Sequence, residues 1–556
     1  MKLTLLDRIG DLNPQMWREI KGRFKPRNVI IAAIISLLGQ FMMLMIAMGS
    51  LPTDDRYLSP DNKIYNKYCT GVSQECLQDS LGNFVVNWQF WWIEIFTVLS
   101  VIGIFILLIA GTYMLISDLA KEEKNGTLNF IRLSPRSSQS ILLGKILGVP
   151  FLLYVFVISA LPLHFWAGIS AGIPLIAILI YWAVIIASCF FFYSGSLLFG
   201  LFSSGFSGFQ PWLGSSLALM FLWTTCFIPI SNTPADWITM FSPYRILPYV
   251  VNTSLVQDSF SFSYLYLNDW QWFYLALGNN AVAAISFSLF NYALWSYWIW
   301  QGLQRRFHNP SKTILSKSQS YLLVSCIEVM ALGFALQVSR FSYSPENNLF
   351  ILLVLNQLLF LGLMAALSPQ RQALQDWARY RRERMTNRWG FWSRDLIKDL
   401  IWAENSPAIL AIAINLLNSL IILSVWIVLS PNKLNLMSII AMLAVTMTLT
   451  LIYATILQLM LLMRAKRRMQ WAAGVIIALV VLPPIFLSIL SLSPAKAPLF
   501  WLFTAFPWAV VKDASIGTIF TAFICQLGIF ALLNGQLNRQ LKVIGESATK
   551  ALLREV

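Results

Sequence analysis

Long apolar runs alternate with short polar, mostly basic segments along the whole 556-residue chain. A helix crossing about 30 Å of hydrocarbon needs about 20 apolar residues. Twelve runs of that kind start near Asn28, Trp88, Ile146, Pro174, Gln210, Trp272, Tyr321, Asn348, Pro407, Asn435, Trp471 and Ser515. The stretch from Leu499 to Val511, interrupted by Pro507, is too short to span and reads as a re-entrant or interfacial piece. A membrane barrel would show alternating segments of about ten residues instead. The pattern predicts an all-α polytopic membrane protein with about 12 transmembrane helices.

The composition agrees: 57% of residues are hydrophobic and only 12% are charged, too apolar for a soluble protein of two or three domains. The net charge of +15 is explained by where the basic residues fall. Residues 1–27, 118–145, 304–317, 371–398, 464–468 and those after 538 hold 32 of the 40 Lys and Arg, and the alternate loops hold the rest. That asymmetry follows the positive-inside rule and predicts cytoplasmic N- and C-termini and an even number of spans. Positive charge spent on topology argues against a nucleic-acid partner.

The spans divide six and six, which gives five segments. Residues 1–27 form a cytoplasmic interfacial helix, with Asn13 as cap, Pro14 at its first position and Trp17, Ile20 and Phe24 on a lipid-facing side. Residues 28–304 form the first half, whose first span serves as its own uncleaved insertion signal. A polar cytoplasmic linker, 305–320, leads to a second half at 321–538 and a cytoplasmic tail at 539–556. In each half a basic segment follows the second span, at 118–145 and at 369–405, which suggests an internal duplication of a kind common in transporters. Trp88, Trp91, Trp92, Trp295, Trp298 and Trp300 lie near span ends, where an interfacial aromatic belt is expected.

The inventory of reactive groups points away from catalysis. The two histidines, His164 and His308, are far apart and have no neighbouring carboxylates in sequence, so no zinc triad or histidine-activated nucleophile is expected. Gly144-Lys145 is followed by Ile146, and no phosphate-cradling Gly-x-x-x-x-Gly-Lys-Ser/Thr sequence occurs. No catalytic residue, metal site or cofactor is assigned to this chain. Glu328 lies inside an apolar run, where a lipid-facing carboxylate would cost about 2.5–3.5 kcal/mol. It should therefore face the protein interior, as an interhelical contact or as a functional intramembrane charge. Cys69 and Cys76, six residues between them in a segment placed outside, are expected to form a disulfide.

One polar island stands out between two apolar runs: Lys121-Glu122-Glu123-Lys124-Asn125-Gly126-Thr127-Leu128, then Leu133-Ser134-Pro135, then Leu143-Gly144-Lys145. Gly126 can end one helix or make a turn, Thr127 can cap the next, and Leu128, Ile131 and Phe130 would give that short helix an apolar face. A helix lying along the membrane surface there could anchor the loop or receive force from a soluble partner.

The run Glu-Glu-Lys-Asn-Gly-Thr-Leu, followed by Ser-Pro and by Leu-Gly-Lys at the next span, resembles the region between the second and third spans of bacterial ABC-2 type transporter permeases. The basic helix from Asn13 to Lys25 is similar to that family's interfacial connecting helix, and residues 231–271 to its outer membrane-embedded hairpins. The resemblance covers about residues 10–305. It implies that Glu122, Glu123, Gly126, Thr127, Leu128, Phe130 and Ile131 form a coupling helix that docks on a separate ATPase subunit, where ATP and Mg are bound.

On that likeness the chain is the permease of an ATP-driven exporter in a bacterial plasma (inner) membrane or another internal energy-transducing membrane. Two ATPase subunits are expected for one chain with two permease halves, or a homodimer of chains if only one half forms the permease core. Membrane lipid is the other partner. An ATP-independent transporter or scramblase, and a membrane assembly or scaffold protein, are the alternatives. The second half departs from the motif, since residues 371–405 contain no Glu-x-x-Gly-Thr.

Overall fold

A computed structural model describes residues 13–52, 65–71, 75–203, 208–228, 232–251, 270–336, 345–384, 394–429, 436–465, 467–510 and 513–545. Helices fill each of the apolar runs. Along the first part they are α1 (Pro14–Arg23), α2 (Pro26–Gly49), α3 (Trp88–Lys124), α4 (Thr127–Arg132), α5 (Ser138–Gly148), α6 (Phe151–Ser170), α7 (Leu175–Phe202), α8 (Gln210–Phe227) and α9 (Ala281–His308). The remainder are α10 (Lys317–Ala335), α11 (Pro345–Leu367), α12 (Arg371–Arg384), α13 (Arg394–Trp402), α14 (Ile409–Leu429), α15 (Leu436–Leu462), α16 (Arg468–Ile489) and α17 (Ile516–Ile544).

Nine helices among the described residues are long and apolar enough to cross a membrane: α2, α3, α6, α7, α10, α11, α15, α16 and α17. The chain is thus a helical, multi-pass membrane protein. Helices α8, α9 and α14 occupy the other three apolar runs without meeting the same standard of length and apolarity. Regular sheet among the described residues is confined to a two-stranded pair, Gln271–Trp272 with Leu275–Ala276.

The chain divides into two compact units. The first comprises 1–231, 238–270 and 276–300; the second comprises 232–237, 271–275 and 301–556. In the first, α3 packs on α6, α7 and α8 around a core that includes Phe96, Tyr181, Val184 and Leu222. At 1.5 Å per residue the 37 residues of α3 extend about 55 Å, so the helix outlasts the hydrocarbon by several turns. A π-helical turn at Ile106–Ala110 interrupts its α-helical hydrogen bonding. The Tyr193 hydroxyl donates to the Leu107 carbonyl in that turn at 2.8 Å. Its ring lies so close that a Cβ at Gly111 would come within 2.3 Å of the Tyr193 oxygen, which is why a glycine follows the turn.

In the second unit α14 packs on α10, and α15 packs on α17 and α16. Its core includes Val324, Phe360, Met364, Ile412 and Tyr453. The stretch expected to be re-entrant contains two short helical turns, Pro498–Trp501 and Pro507–Val510, with Leu502, Ala505 and Val510 buried between and beside them.

The disulfide between Cys69 and Cys76 is formed. Beside it Lys67 Nζ and the Tyr68 hydroxyl both donate to Glu94 near the start of α3, each at 2.5 Å. The tryptophans divide in a way their spacing does not reveal: Trp88 is exposed, whereas Trp91, Trp295 and Trp298 are buried in protein rather than set out as anchors. Of the stretch expected to form outer hairpins, 252–269 lies outside the described residues; nearby, Pro243–Ile246 and Leu247–Val251 are short helical turns. Parts of the expected tail (546–556) and of the Arg- and Trp-rich segment (385–393) also lie outside them.

Candidate functional site

The polar island folds as the end of α3, a glycine turn, the short helix α4 and the start of α5. Helix α3 continues well past the apolar run, to Lys124, and brings Asp118 and Glu122 one turn apart onto one face. Gly126 then adopts φ 72°, left-handed backbone that an L side chain enters only with strain, and it occupies the cap position of α4. Thr127 is therefore the first helical residue rather than the cap, and its hydroxyl donates back to the Glu122 carbonyl at 3.2 Å.

Facing this turn, α1 lies against α5. The Asn13 side chain caps α1 by accepting from the Met16 amide at 3.1 Å and donates to the Ser140 carbonyl in α5 at 2.8 Å. The two helices meet at glycines: a Cβ on Gly144 would lie 2.8 Å from Asn13 Oδ1, and one on Gly148 would lie 2.6 Å from the Glu19 Cβ. Small residues four apart let two helix backbones approach in this way.

That approach assembles six charges from three elements. Lys145 Nζ, with no solvent exposure, lies 2.6 Å from Asp118 Oδ2, 2.7 Å from Glu122 Oε2 and 3.7 Å from Glu19 Oε1. Arg18 pairs with Glu19 at 2.8 Å and with Glu122 at 2.6 Å. Arg23 pairs with Glu19 and, at 2.6 Å, with Asp118. Three cations thus neutralise three carboxylates. Carboxylate oxygens of Glu19, Asp118 and Glu122 come within 4.8 Å of one another, as in a metal site, but the Lys145 ammonium occupies the place a cation would take.

Burial alone would lift the Glu19 carboxyl, yet Lys145, Arg23 and Arg18 outweigh it and hold Glu19 below its ordinary 4.5. Burial would likewise lower the Lys145 ammonium, but Asp118, Glu122 and Glu19 hold it above its ordinary 10.5.

The residues singled out from the sequence therefore separate by role. Glu122 is turned inward and is ion-paired. Leu128 and Ile131 are buried and seat α4 on the unit. Phe130 sits on the opposite side of the helix, because successive residues turn by about 100°. It is 80% exposed, and Leu133, three positions on, is 85% exposed. Glu123, Gly126 and Thr127 lie at the exposed turn. Arg18, Glu19, Arg23, Asp118 and Lys145 were not expected to converge; the sequence signal for it is the Gly144-Lys145-x-x-Gly148 pattern.

In the second unit the Lys317 ammonium, also buried, donates to the Leu400 carbonyl at 2.7 Å, Ser406 Oγ at 2.6 Å and the Pro407 carbonyl at 3.1 Å. Arg305 pairs with Glu404 at 2.7 Å. So in both units a cation preceding the unit's first long apolar helix ties down the segment that precedes its third. Glu328 is buried in α10, beside Asn356 and Ser419.

No known family model, curated protein or solved structure matches this chain.

Proposed function

We propose that this chain is the membrane-spanning permease of an ATP-driven ABC exporter, with α4 as the element that receives the stroke of a separate ATPase subunit. The observation that carries the reading is the pairing of a fixed base with an exposed apolar face. Phe130 and Leu133 stand out from a six-residue helix whose other face is buried and whose two flanks are joined through Lys145. Exposed aromatic and aliphatic side chains on a rigid base suit a protein–protein contact. The resemblance of the Glu122–Leu128 and Gly144-Lys145 sequences to ABC-2 permeases names the partner.

In this reading all twelve apolar helices span the bacterial inner membrane, both termini are cytoplasmic, and ATP-driven closure of two ATPase subunits pushes on α4. The charge cluster passes the push to α1, α3 and α5 together. The second unit contributes its own docking segment at α13, whose Leu400 carbonyl accepts from Lys317.

The test is co-purification of an ABC ATPase subunit with this chain from its native membrane, with Phe130→Ser and Leu133→Ser introduced together. Loss of the ATPase from a permease that still inserts and keeps its thermal midpoint supports the reading. ATPase binding unaffected by the double change sinks it, as does transport by the purified chain in liposomes lacking ATP.

A further inference from the structure

Three helices of the second unit bring polar side chains together near their midpoints: Glu328 in α10, Asn356 in α11 and Ser419 in α14, all buried. Ser419 Oγ lies 2.5 Å from Glu328 Oε1 and 2.8 Å from Asn356 Oδ1, and Asn356 Nδ2 lies 3.3 Å from Glu328 Oε2. The three contacts close a ring, and each needs one hydrogen. The serine hydroxyl has one to give. The asparagine meets the ring through one nitrogen and one oxygen, so it also gives one. Turning the amide over exchanges those two atoms and leaves the count unchanged. The third hydrogen has to come from Glu328 as a carboxylic acid. Its O–H donates to Ser419 Oγ, the serine donates to Asn356 Oδ1, and the Asn356 amide donates back to Glu328 Oε2.

Without that hydrogen, two acceptors of the ring face each other with nothing between them, and a bare carboxylate is left in a membrane interior. The elements packed on α10 are α11, α13, α14 and the strand Gln271–Trp272. Helix α14 and the strand carry no titratable side chain, and α11 carries only Glu346, ten residues before Asn356. Helix α13, with Arg394, Asp395, Lys398 and Asp399, meets the N-terminal end of α10, where Lys317 donates to the Leu400 carbonyl. Lys317 is 11 residues from Glu328, about 16 Å along the helix. On α10 itself Tyr321 donates to the Ile401 carbonyl at 2.8 Å, and Cys326, two positions from Glu328, turns to another side of the helix. Among the described residues the ring therefore has no counter-ion, and a proton is what neutralises it. Asn356 and Ser419 also line a cleft of about 30 Å³, room for a water or two, so a departing proton has an acceptor beside the ring.

We propose that Glu328 is a proton-binding site in the membrane interior: at neutral pH its bound proton clasps α10, α11 and α14 together, and release of that proton to water opens the clasp. The carboxylic acid becomes a carboxylate and the water a hydronium, with no other reactant. The packing of the second unit is thereby tied to proton concentration. The inference does not depend on an ATPase partner.

The test is infrared difference spectroscopy of the full chain in phosphatidylcholine nanodiscs, native minus Glu328→Gln. The glutamine amide supplies the third hydrogen and closes the same ring with no proton to lose. The native protein should show a protonated-carboxyl band at neutral pH, which gives way to a carboxylate band as pH rises. Ser419→Ala, which removes the acceptor of the Glu328 O–H, should shift the carboxyl band to higher frequency. A group whose protonated form is favoured by the fold contributes stability that is lost as pH rises through its folded-state value. The native thermal midpoint should therefore match that of Glu328→Gln at neutral pH and fall below it over the range in which the band is lost. If Glu328→Gln does not fold, the neutral-minus-alkaline difference of the native protein reads the same band, and Ser419→Ala assigns it. A carboxylate band at neutral pH overturns the proposal. So does a carboxyl band that persists until alkaline unfolding, that Ser419→Ala leaves unmoved, or whose loss leaves the two midpoints equal.

Discussion

Lys145 Nζ lies 2.7 Å from Glu122 Oε2, and the ammonium has no access to solvent. The pair joins the beginning of the polar island to its end. Helix α4 therefore rides on a segment closed at its base, and its orientation follows that of α3 and α5.

Removing Lys145 should be costly. Lys145→Met leaves Asp118, Glu122 and Glu19 with only the two arginines, and breaking a buried pair in this way costs about 3–5 kcal/mol. A clear fall in thermal midpoint is expected in detergent. Adding Glu122→Gln should recover part of the loss, giving a non-zero coupling energy in the double-mutant cycle. Strict additivity would mean that the pair contributes nothing.

The cluster also sets a pH window. Glu19 is held below 4.5, so its contribution is present above that value and is lost as pH falls through the lowered one. Lys145 is held above 10.5, so its contribution is present below that value and is lost as pH rises through the raised one. The protection of the α1 amides, relative to their intrinsic exchange rates at each pH, should be high between these limits and fall on both sides. Protection that declines steadily across neutral pH would contradict the assignment.

Gly148→Leu should pry α1 from α5, since even a Cβ would stand 2.6 Å from that of Glu19. Overpacking of this kind costs about 1–3 kcal/mol. Limited proteolysis should then cut near α1 faster than in the native protein. Gly39→Leu, at a position with open space around it, is the matched control and should change nothing.

Reduction of Cys69–Cys76 should loosen the loop that presents Lys67 and Tyr68 to Glu94. Closing a loop this short is worth about 2 kcal/mol in the chain-entropy account. Cys76→Ser should speed amide exchange across residues 65–71 while leaving α4 unaffected. Unchanged exchange there would show that the hydrogen bonds to Glu94 suffice without the bridge.

Features carried by local chemistry were legible in the sequence. Asn13-Pro14 reads as a helix start, each apolar run demanded a helix, and two cysteines in a loop that the charge count places outside favoured a bridge. The charge cluster was not legible, because Asn13 and Ser140 are 127 positions apart and only packing joins them. Glu19 sits in a stretch of Arg and Lys that looks like a solvated basic helix, yet it is the residue that turns inward. The apolar face expected of α4 grouped Phe130 with Leu128 and Ile131. Helical rotation at about 100° per residue puts Phe130 with Leu133 instead, on the side away from Leu128. The π turn in α3 left no mark beyond a glycine at 111.

Helix α3 is pinned by carboxylates near both ends, Glu94 to Lys67 and Asp118 to Lys145. Those two anchors are separated by about 36 Å of continuous helix. A tilt imposed at one membrane face is therefore a displacement at the other, with the π turn under Tyr193 as the only break in α-helical winding between them. The disulfide-bridged loop and the glycine turn, on opposite faces, are two ends of one lever.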